Sequence, residues 1–480
     1  MNYSMVFRVL GKMMKIEAAL LALPLMVAFI YRESAAVSIA VTMALVLIAG
    51  ILLSLKKPKT ENIYAREGLI IVALSWVLVS LFGCLPFIFS GAIPHFVDAF
   101  FETVSGFTTT GSSILTDVEA LPKSLIFWRN FTHWVGGMGV LVFMLAVLPM
   151  TQDRSMHIVR AEVPGPTVGK LVPKMRSTAM ILYGIYAAMT AVQIILMLCG
   201  GMSLFDSFCI AFGTAGTGGF AIYNNSIAGY SAYLQWVIAI FMILFGVNFN
   251  IYYFILIKRF REIHKNTELR AYLLIVTASI ALICINIWNM YGSFWHALRD
   301  SSFQVASIIS TTGYVTANYD KWPELSRVIL LGLMFCGACA GSTAGGIKVS
   351  RIVMMIKVII RNFQKIVRSR SVQVLKLDGR RVEEEVIVGV GAWMMTYAAI
   401  FIVSVVAVSV NGMDLETTVS SVTTCINNVG PAFGKVVGAV GNFSSLSAVS
   451  KAVLTLDMLI GRLEIYPMLM LFIPAVWRRG

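Results

Sequence analysis

Runs of about 20 apolar residues recur along the whole chain, and they constrain its fold more than any other feature. A helix needs a run of this length to cross the hydrocarbon core of a bilayer, which is roughly 30 Å thick. Hydrophobic residues make up 58% of the sequence and charged residues 13%, whereas a soluble domain is closer to half apolar and about a quarter charged. The sequence therefore predicts an all-α polytopic membrane protein and argues against a large soluble helical core.

The formal net charge of +14 indicates orientation in the membrane. Lysine and arginine concentrate in four clusters, at residues 56–66, 154–176, 258–270 and 348–381. The clusters fall in alternate connections between the apolar spans, and the intervening loops are poor in both residues. This is the pattern of the positive-inside rule. We therefore expect the clusters and both termini to face the cytoplasm, where basic segments also bind anionic lipid head groups or a cytosolic partner. The arrangement gives no support to nucleic-acid binding.

Four short polar loops that contain glycine repeat one outline. They are Thr109, Thr110, Gly111 and Ser112; Gly216, Thr217, Gly218 and Gly219; Thr311, Thr312, Gly313 and Tyr314; and Asn428, Val429, Gly430 and Pro431. With Gly111, Gly218, Gly313 and Gly430 taken as equivalent, the loops are about 95 to 117 residues apart. Each follows an amphipathic segment too short to cross a bilayer, and an apolar span stands on either side. This order predicts four fused repeats of span, pore helix, filter loop and span around a pseudo-fourfold pore.

The repeats divide the chain into five parts. An extra N-terminal transmembrane hairpin occupies residues 1–66, and repeats 1 and 2 occupy residues 67–176 and 177–269. Repeat 3, residues 270–385, has a glycine-broken second span and a cytoplasmic connector, and repeat 4 occupies residues 386–480.

An acidic residue stands near the start of each predicted pore helix, 12 to 14 residues before its glycine. The four acids are Asp98, Asp206, Asp300 and Glu416. A carboxylate in this position caps helix amides and interacts favourably with the positive end of the helix dipole. We expect these residues to be pore-helix caps, although acids that merely belong to outer loops would give the same pattern.

The composition of the four loops suits a potassium ion. Backbone at membrane depth requires a protein or polar partner, and carbonyl groups turned inward replace the hydration shell of a cation in potassium filters. None of the loops contains Asp or Glu, the residues that usually bind divalent cations. We therefore expect a monovalent cation held by carbonyl oxygens.

Two further features of the spans allow more than one interpretation. The second span of repeat 3 contains Gly341, Ser342, Thr343, Ala344, Gly345, Gly346 and Lys348. Its glycines either pack tightly against neighbouring helices or break the helix where a polar cavity receives the backbone. Arg462 lies inside the last span, where a charge is costly and usually functional, but pairing with Asp457 or Glu464 for structure alone is also possible.

Five stretches resemble the TrkH-type pore subunits of the Trk/Ktr/HKT superfamily of potassium transporters. They are FTTTGSS at 107–113, WRNFTHWVGGMG at 128–139, AGSTAGGIK at 340–348, NNVGP at 427–431 and GRLE at 461–464. In that family a glycine in all four filter loops accompanies potassium preference. The resemblance also implies that the glycine-rich loop at 341–346 and Arg462 form a gate below the filter.

The resemblance implies partners as well. The family's pore subunits form a homodimer in the bacterial inner membrane, and a TrkA-like cytosolic ring that binds NAD or ATP docks on the cytoplasmic face. No cytosolic segment of this chain is long enough to fold a nucleotide-binding domain, so we expect potassium, and no nucleotide, to bind to the chain itself.

Two other functions use the same scaffold or class of fold. A potassium–proton or potassium–sodium symporter needs titratable groups along the path, and few are present: Arg462, Asp457, Glu464 and His133. An intramembrane enzyme is disfavoured because the five histidines, at positions 95, 133, 157, 264 and 296, are scattered. A gated potassium-uptake pore is the function that the sequence favours.

Overall fold

A computed structural model describes residues 2–55, 64–139, 175–368 and 374–477 of the chain. Within these ranges the regular secondary structure is helical, apart from one two-stranded ribbon. The helices are α1 (Tyr3–Leu20), α2 (Ala22–Tyr31), α3 (Ala35–Ser54), α4 (Ala65–Gly83), α5 (Leu85–Phe89), α6 (Phe96–Phe107), α7 (Lys123–Gly137), α8 (Met175–Cys199), α9 (Leu204–Gly216), α10 (Ala232–Phe245), α11 (Phe249–Leu256), α12 (Phe260–Lys265), α13 (Thr267–Tyr291), α14 (Phe294–Ile309), α15 (Glu324–Cys336), α16 (Val349–Val367), α17 (Glu384–Ser409), α18 (Leu415–Ile426), α19 (Ala448–Arg462), α20 (Tyr466–Met470) and α21 (Pro474–Trp477).

Six helical stretches of the described chain are long and apolar enough to cross a membrane. They are Tyr3–Tyr31, Ala35–Ser54, Arg66–Phe89, Thr178–Cys199, Thr267–Tyr291 and Glu384–Ser409. Many large apolar side chains on these stretches remain exposed, as expected of helices that face lipid tails. The predicted all-α polytopic membrane fold is therefore confirmed.

The N-terminal hairpin is held together by a close helix crossing. A Cβ atom built on Gly11 of α1 would lie 2.6 Å from the carbonyl oxygen of Gly50 on α3, and one on Gly50 would lie 2.9 Å from the carbonyl oxygen of Gly11. Such contacts between small residues are typical of helices that associate inside a bilayer, where lipid supplies no hydrophobic driving force between them.

Four short helices end in the four glycine-containing loops. They are α6, α9, α14 and α18, with 12, 13, 16 and 12 residues. At a rise of 1.5 Å per residue, each covers roughly half to three-quarters of a bilayer core. The recurring order of long helix, short helix and second helix is consistent with four repeats. The loops that end the short helices are the filter loops 1 to 4.

The second helices of repeats 2 and 4 are not the continuous spans that the apolar runs at 232–257 and 447–474 predict. In repeat 2, α10 and α11 meet at an angle of 91°, and the Asn248 side chain caps the new helix by accepting from the amide of Asn250 at 2.9 Å. In repeat 4 the helix stops before Glu464 and Ile465, whose φ angles are 59° and 71°. A left-handed backbone cannot continue a right-handed helix, so the span breaks there.

The second helix of repeat 3 is also interrupted, between the end of α15 and the start of α16. After α16, a two-stranded antiparallel ribbon pairs Lys376–Leu377 with Arg380–Arg381. Asp378 and Gly379 form its turn with φ angles of 52° and 78°, a pair of residues that favours a tight hairpin turn.

The two ends of the described chain lie together. The amide of Asn2 donates to Glu67 Oε1 at 3.2 Å, and the Tyr3 hydroxyl donates to the carbonyl oxygen of Trp477. Arg66 donates to the carbonyl oxygen of Ala475 at 3.0 Å. The start of α1, the start of α4 and the C-terminal helix α21 therefore share one side of the protein.

Candidate ion pathway

Each short helix ends in the same left-handed turn. A non-glycine residue with positive φ is followed two positions later by a glycine with positive φ. The pairs are Thr109 (55°) and Gly111 (81°), Thr217 (57°) and Gly219 (68°), Thr311 (55°) and Gly313 (87°), and Asn428 (53°) and Gly430 (106°). In each turn the amide between them bonds a carbonyl oxygen five residues back, as Thr110 does to Ser105 at 2.9 Å. This is the pattern of a Schellman motif, which closes a helix C-terminus.

The turns correct the alignment of filter loop 2 by one residue. Gly219, and not Gly218, occupies the place of Gly111, Gly313 and Gly430. Gly216, predicted to belong to the loop, is the last residue of α9. The run of glycines in this loop offers several registers, so spacing alone could not select the correct one. A glycine still stands at the equivalent place in all four loops.

The four loops close a ring in chain order. A Cβ atom built on the positive-φ glycine of each loop would overlap a carbonyl oxygen of the next loop. That oxygen belongs to the residue just before the equivalent glycine. The overlapping pairs are Gly111 with Gly218, Gly219 with Thr312, Gly313 with Val429, and Gly430 with Thr110. Each position therefore needs glycine for two reasons, its positive φ and the closeness of the neighbouring loop. We call this arrangement the glycine ring.

A cavity of about 250 Å³ opens on one side of the glycine ring, and all four ring glycines line it. Asn224 contributes to its wall, and its Nδ2 donates to Asp117 Oδ1 at 2.8 Å. This hydrogen bond holds the pKa of the exposed Asp117 carboxyl below its usual value. Asp117 therefore stays ionised at neutral pH next to the cavity rim, where a negative charge attracts cations.

The four acids predicted to cap the pore helices do not do so. The described caps of α9 and α18 are Ser203, which accepts from the amide of Asp206 at 3.1 Å, and Asp414, which accepts from the amide of Thr417 at 3.1 Å. Asp300 lies in the second turn of α14, because that helix begins earlier than the spacing predicts. The other three predicted caps do lie in the first turn, where they interact favourably with the helix dipole.

Two of these acids connect neighbouring repeats instead. Asp98, at the start of the repeat 1 pore helix, pairs with Lys451 of repeat 4 at 2.6 Å. Glu416, at the start of the repeat 4 pore helix, pairs with Arg327 of repeat 3. Each pair joins one of the short helices to a helix of another predicted repeat, α6 to α19 and α18 to α15.

The interrupted span of repeat 3 places a loop against the glycine ring, on the side away from the cavity. The loop contains Gly341, Ser342, Thr343, Ala344, Gly345, Gly346 and Lys348, and we call it the gate loop. The amide of Gly345 donates to Thr311 Oγ1 of filter loop 3 at 2.7 Å, and a Cβ atom on Gly345 would lie 2.9 Å from Cβ of Asn428 in filter loop 4. Lys348 Nζ donates to the carbonyl oxygen of Gly345 at 3.1 Å. The gate loop therefore contacts two filter loops directly.

The ends of the gate loop are held by a residue that the sequence analysis missed. Glu268, near the start of α13, accepts through Oε1 from the amides of Ala340 at 2.7 Å and Ser350 at 3.0 Å. These amides lie just before and just after the loop. An acid at the start of an apolar span is usually read as interfacial, so only the fold could reveal this contact.

The break in repeat 2 also receives the gate loop. The amide of Cys339 donates to the carbonyl oxygen of Gly246 at 3.0 Å, and the amide of Phe249 donates to the carbonyl oxygen of Gly341 at 3.0 Å. Irregular backbone inside a membrane protein needs such partners. Backbone groups at the interruptions in repeats 2 and 3 therefore form hydrogen bonds with each other.

Arg462, the last residue of α19 in repeat 4, reaches the gate loop. Its guanidinium donates to the carbonyl oxygen of Thr343 at 2.7 Å and to those of Gly136 and Gly137, at the end of α7, at 2.6 and 2.7 Å. Carbonyl groups at a helix C-terminus carry partial negative charge, which favours a cation there. Arg462 thus joins repeats 1, 3 and 4 next to the glycine ring.

The two acids considered as partners of Arg462 each have another partner. Glu464 pairs with Arg351 of α16, and Asp457 Oδ1 accepts from the Ser404 hydroxyl at 2.7 Å. The Arg351 guanidinium also lies 4.0 Å from the centre of the Trp393 ring. The break in repeat 4 is therefore tied to the helix that follows the gate loop.

Comparison with known proteins gives the family. Residues 35–479 match the family TrkH, described as cation transport protein. The chain belongs to the TrkH family. It is 34% identical to the Trk system potassium uptake protein TrkH of Escherichia coli K12 over 486 aligned positions that cover all of both chains. It is 31% identical to TrkG of the same organism, over 95% of this chain and 94% of that one.

The fold agrees with a solved structure of the TrkH family. The crystal structure of the potassium transporter TrkH from Vibrio parahaemolyticus superposes with a TM-score of 0.89 at 29% identity, and the match covers all of both chains. These relatives are named as transport proteins, which indicates a transporter rather than an enzyme for the family. In the part of this TrkH-family chain that is described, His, Cys, Asp and Glu form no cluster that would hold a metal ion.

Three further residues near the filter loops received no structural role from the sequence. His133, considered there only as a titratable group, lies ten residues into α7 and contacts filter loop 2. Glu102 and Arg129 form a buried ion pair at 2.6 Å between α6 and α7. Arg129 and His133 belong to the stretch at 128–139 that resembles the family, and their spacing of four residues places both on one helix face.

Proposed function

We propose that the chain is a gated, potassium-selective pore for potassium uptake. The observation that carries the proposal is the glycine ring, in which four loops of equal geometry meet between a cavity and the gate loop. Relatives that match over their full length are named potassium uptake proteins, which supports potassium as the transported ion. The transported potassium is the substrate of the pore, and we propose that this chain itself binds no nucleotide.

The proposed filter uses backbone carbonyl groups as ligands. The residues concerned are Thr109, Thr110, Gly111 and Ser112 in loop 1, Thr217, Gly218, Gly219 and Phe220 in loop 2, Thr311, Thr312, Gly313 and Tyr314 in loop 3, and Asn428, Val429, Gly430 and Pro431 in loop 4. Carbonyl dipoles replace the hydration shell of a monovalent cation. The absence of carboxylates from these loops disfavours divalent ions, which usually have such ligands.

The proposed gate consists of the gate loop with Arg462 and Glu268. In the described conformation the loop contacts filter loops 3 and 4 on the side away from the cavity. Arg462 places a positive charge beside the loop, and a fixed positive charge repels a cation that passes. Opening would require the loop to leave Thr311 and Arg462 to release the carbonyl group of Thr343.

We propose that the protein lies in the bacterial inner membrane with both termini in the cytoplasm. The ends of the described chain share one side, and the basic residues around α12 stand at the end of a bent span. The positive-inside rule assigns such basic segments to the cytoplasm. The divisions at residues 66, 176, 269 and 385 remain our proposed boundaries of the hairpin and the four repeats.

Two partners belong to the proposal. One is a second copy of the chain, as a homodimer in the bilayer. The other is a TrkA-like cytosolic ring that binds NAD or ATP and docks on the cytoplasmic face. The relatives are named as parts of a Trk system, which supports regulation by separate components.

Uptake assays test the proposed function. The chain is expressed in bacterial cells that lack potassium uptake systems, and entry of potassium, rubidium and sodium is compared. We expect growth at low potassium and a strong preference for potassium and rubidium over sodium. A preference for sodium would reject the filter. Single-channel currents from purified protein would separate a pore from a strictly coupled symporter, which gives none.

A further inference from the structure

Two buried side chains of α7 pack against filter loop 2. Arg129 and His133 are 3% and 0% exposed, and both contact Phe220, the residue that follows the ring glycine of this loop. The Arg129 guanidinium lies 3.4 Å from the centre of the Phe220 ring, and the His133 ring centre lies 4.2 Å from it. Arg129 also donates to the carbonyl oxygen of Ala221 at 3.0 Å.

His133 makes two hydrogen bonds of opposite sense. Its Nδ1 donates to the carbonyl oxygen of Gly106 in the repeat 1 pore helix at 2.7 Å. Its Nε2 accepts from the amide of Phe220 at 3.3 Å. This combination needs a neutral imidazole with its hydrogen on Nδ1. The ring also packs against Gly218, where a Cβ atom would overlap it, so His133 sets the position of loop 2 relative to loop 1.

The charge of Arg129 is balanced by Glu102, and this pair extends the contact to loop 1. Arg129 Nε lies 2.6 Å from Glu102 Oε1, and both side chains are buried. Glu102 also accepts from the Ser113 hydroxyl at 2.9 Å and from the amide of Ile114 at 2.9 Å. These two residues follow filter loop 1. One buried network therefore holds the residues that follow loop 1 and those that follow loop 2.

Filter loops 1 and 3 are held differently. In loop 3, the residue equivalent to Phe220 is Tyr314, whose hydroxyl donates to the carbonyl oxygen of Ile210 at 3.1 Å. In loop 1 it is Ser112, which donates to the carbonyl oxygen of Gly430 at 3.0 Å. Phe220 has no hydroxyl group, and α7 supplies the polar contacts that its side chain cannot make.

We propose that Arg129 and His133 are positioning residues that set the cation selectivity of filter loop 2. They do not touch the ion. They fix the backbone of Phe220 and Ala221, and through it the carbonyl groups of Gly218 and Gly219. The inference rests on the proposed potassium filter. Within the stretch at 128–139, Arg129 and His133 thereby acquire a role in selection.

The test replaces His133 in two ways and compares cation preference. His133→Gln keeps one acceptor and one donor, so both hydrogen bonds remain available. His133→Leu removes both at similar volume. We expect His133→Leu to lower the potassium-to-sodium uptake ratio by about threefold to tenfold. This factor corresponds to the net strength of one hydrogen bond, because, of the two bonds, only the one to Phe220 holds loop 2. We expect His133→Gln to retain most of the wild-type ratio.

Trp128→Phe is the matched control on the same helix. It removes a buried hydrogen bond of 2.9 Å to the carbonyl oxygen of Gly83, away from loop 2. We expect it to lower protein abundance in the membrane or thermal stability without changing the cation ratio. A purely structural role for His133 predicts the same behaviour from His133→Leu.

Phe220→Leu provides a second variant if His133→Leu does not reach the membrane. It removes the ring held between Arg129 and His133, and we expect the ratio to fall by a similar factor. An unchanged ratio in His133→Leu, or in Phe220→Leu where the first variant is not recovered, overturns the inference. Equal losses in His133→Gln and His133→Leu also overturn it. If the wild-type chain itself shows no potassium preference, the proposed function fails first, so the two failures are distinguishable.

Discussion

Replacing a ring glycine by alanine should lower the potassium-to-sodium uptake ratio by more than the backbone strain of the alanine explains. At Gly313, φ is 87°, and an alanine in the left-handed region costs roughly 1–2 kcal/mol. A Cβ atom there would also overlap the carbonyl oxygen of Val429 and lie 2.7 Å from Pro431 Cδ, well inside ordinary contact, which begins at 3.4 Å. Overpacking of this kind costs about 1–3 kcal/mol more.

Gly201→Ala separates the two costs. Gly201 has a φ of 82°, and a Cβ atom there would meet nothing within 4 Å. It therefore carries the backbone strain without the overlap. The difference of about 1–3 kcal/mol between the variants corresponds to a factor of roughly 5 to 150, and we expect it in the potassium-to-sodium ratio because the group displaced is a proposed ligand carbonyl.

The assay is paired uptake of rubidium and sodium in potassium-uptake-deficient cells, corrected for the amount of protein in the membrane. Gly201→Ala should keep the wild-type ratio, and Gly313→Ala should lose most of it. Equal ratios in the two variants, with both present in the membrane, would refute the reasoning that the closeness of neighbouring loops at the glycine ring controls selection.

Three more predictions concern the gate and the cavity. Arg462→Ala should increase potassium leak severalfold in the absence of the regulatory ring, since it removes the charge and the contact with Thr343. Unchanged leak and selectivity in flux measurements would exclude Arg462 from the gate. Glu268→Ala should also increase leak, because it frees the amides of Ala340 and Ser350, whereas Glu268→Gln keeps the accepting oxygen and should behave like the wild type; equal leak in both would contradict this. Asp117→Asn should lower uptake at limiting potassium by about twofold, and the effect should shrink as ionic strength rises; an effect that does not depend on salt would argue against attraction of cations by this carboxylate.

The long spans and the short helices can be predicted from the sequence, because both follow from local patterns. In repeat 1 an amphipathic segment too short to cross a bilayer ends in a run of Thr and Gly, and α6, Phe96–Phe107, forms on that segment. The six long spans follow from apolar length alone. These features depend on residues close together in the chain.

The features that the sequence could not predict depend on contacts between repeats. The register of filter loop 2 is fixed by Gly219 packing against Thr312 of the next repeat. The breaks in α10–α11 and after α19 occur inside apolar runs, and the first is stabilised by the gate loop. Asp98 pairs with Lys451, which is 353 residues away. Hydrophobic periodicity and helix caps carry no information about such partners.

The gate loop contacts filter loop 3 directly in this fold. One hydrogen bond joins Gly345 of the gate loop to Thr311, two residues before the ring glycine of loop 3. Movement of the loop therefore changes the contacts of the filter itself. Gate variants should consequently alter cation preference as well as leak.

The reversal potential of single-channel currents tests the central claim most directly. Purified protein is placed in a planar bilayer with potassium on one side and sodium on the other, and a nucleotide-loaded partner ring is added if the pore stays closed. The account predicts discrete openings with a reversal potential close to the potassium equilibrium value, and a shift towards zero in Gly313→Ala. Currents that do not distinguish potassium from sodium in the wild-type protein would contradict it.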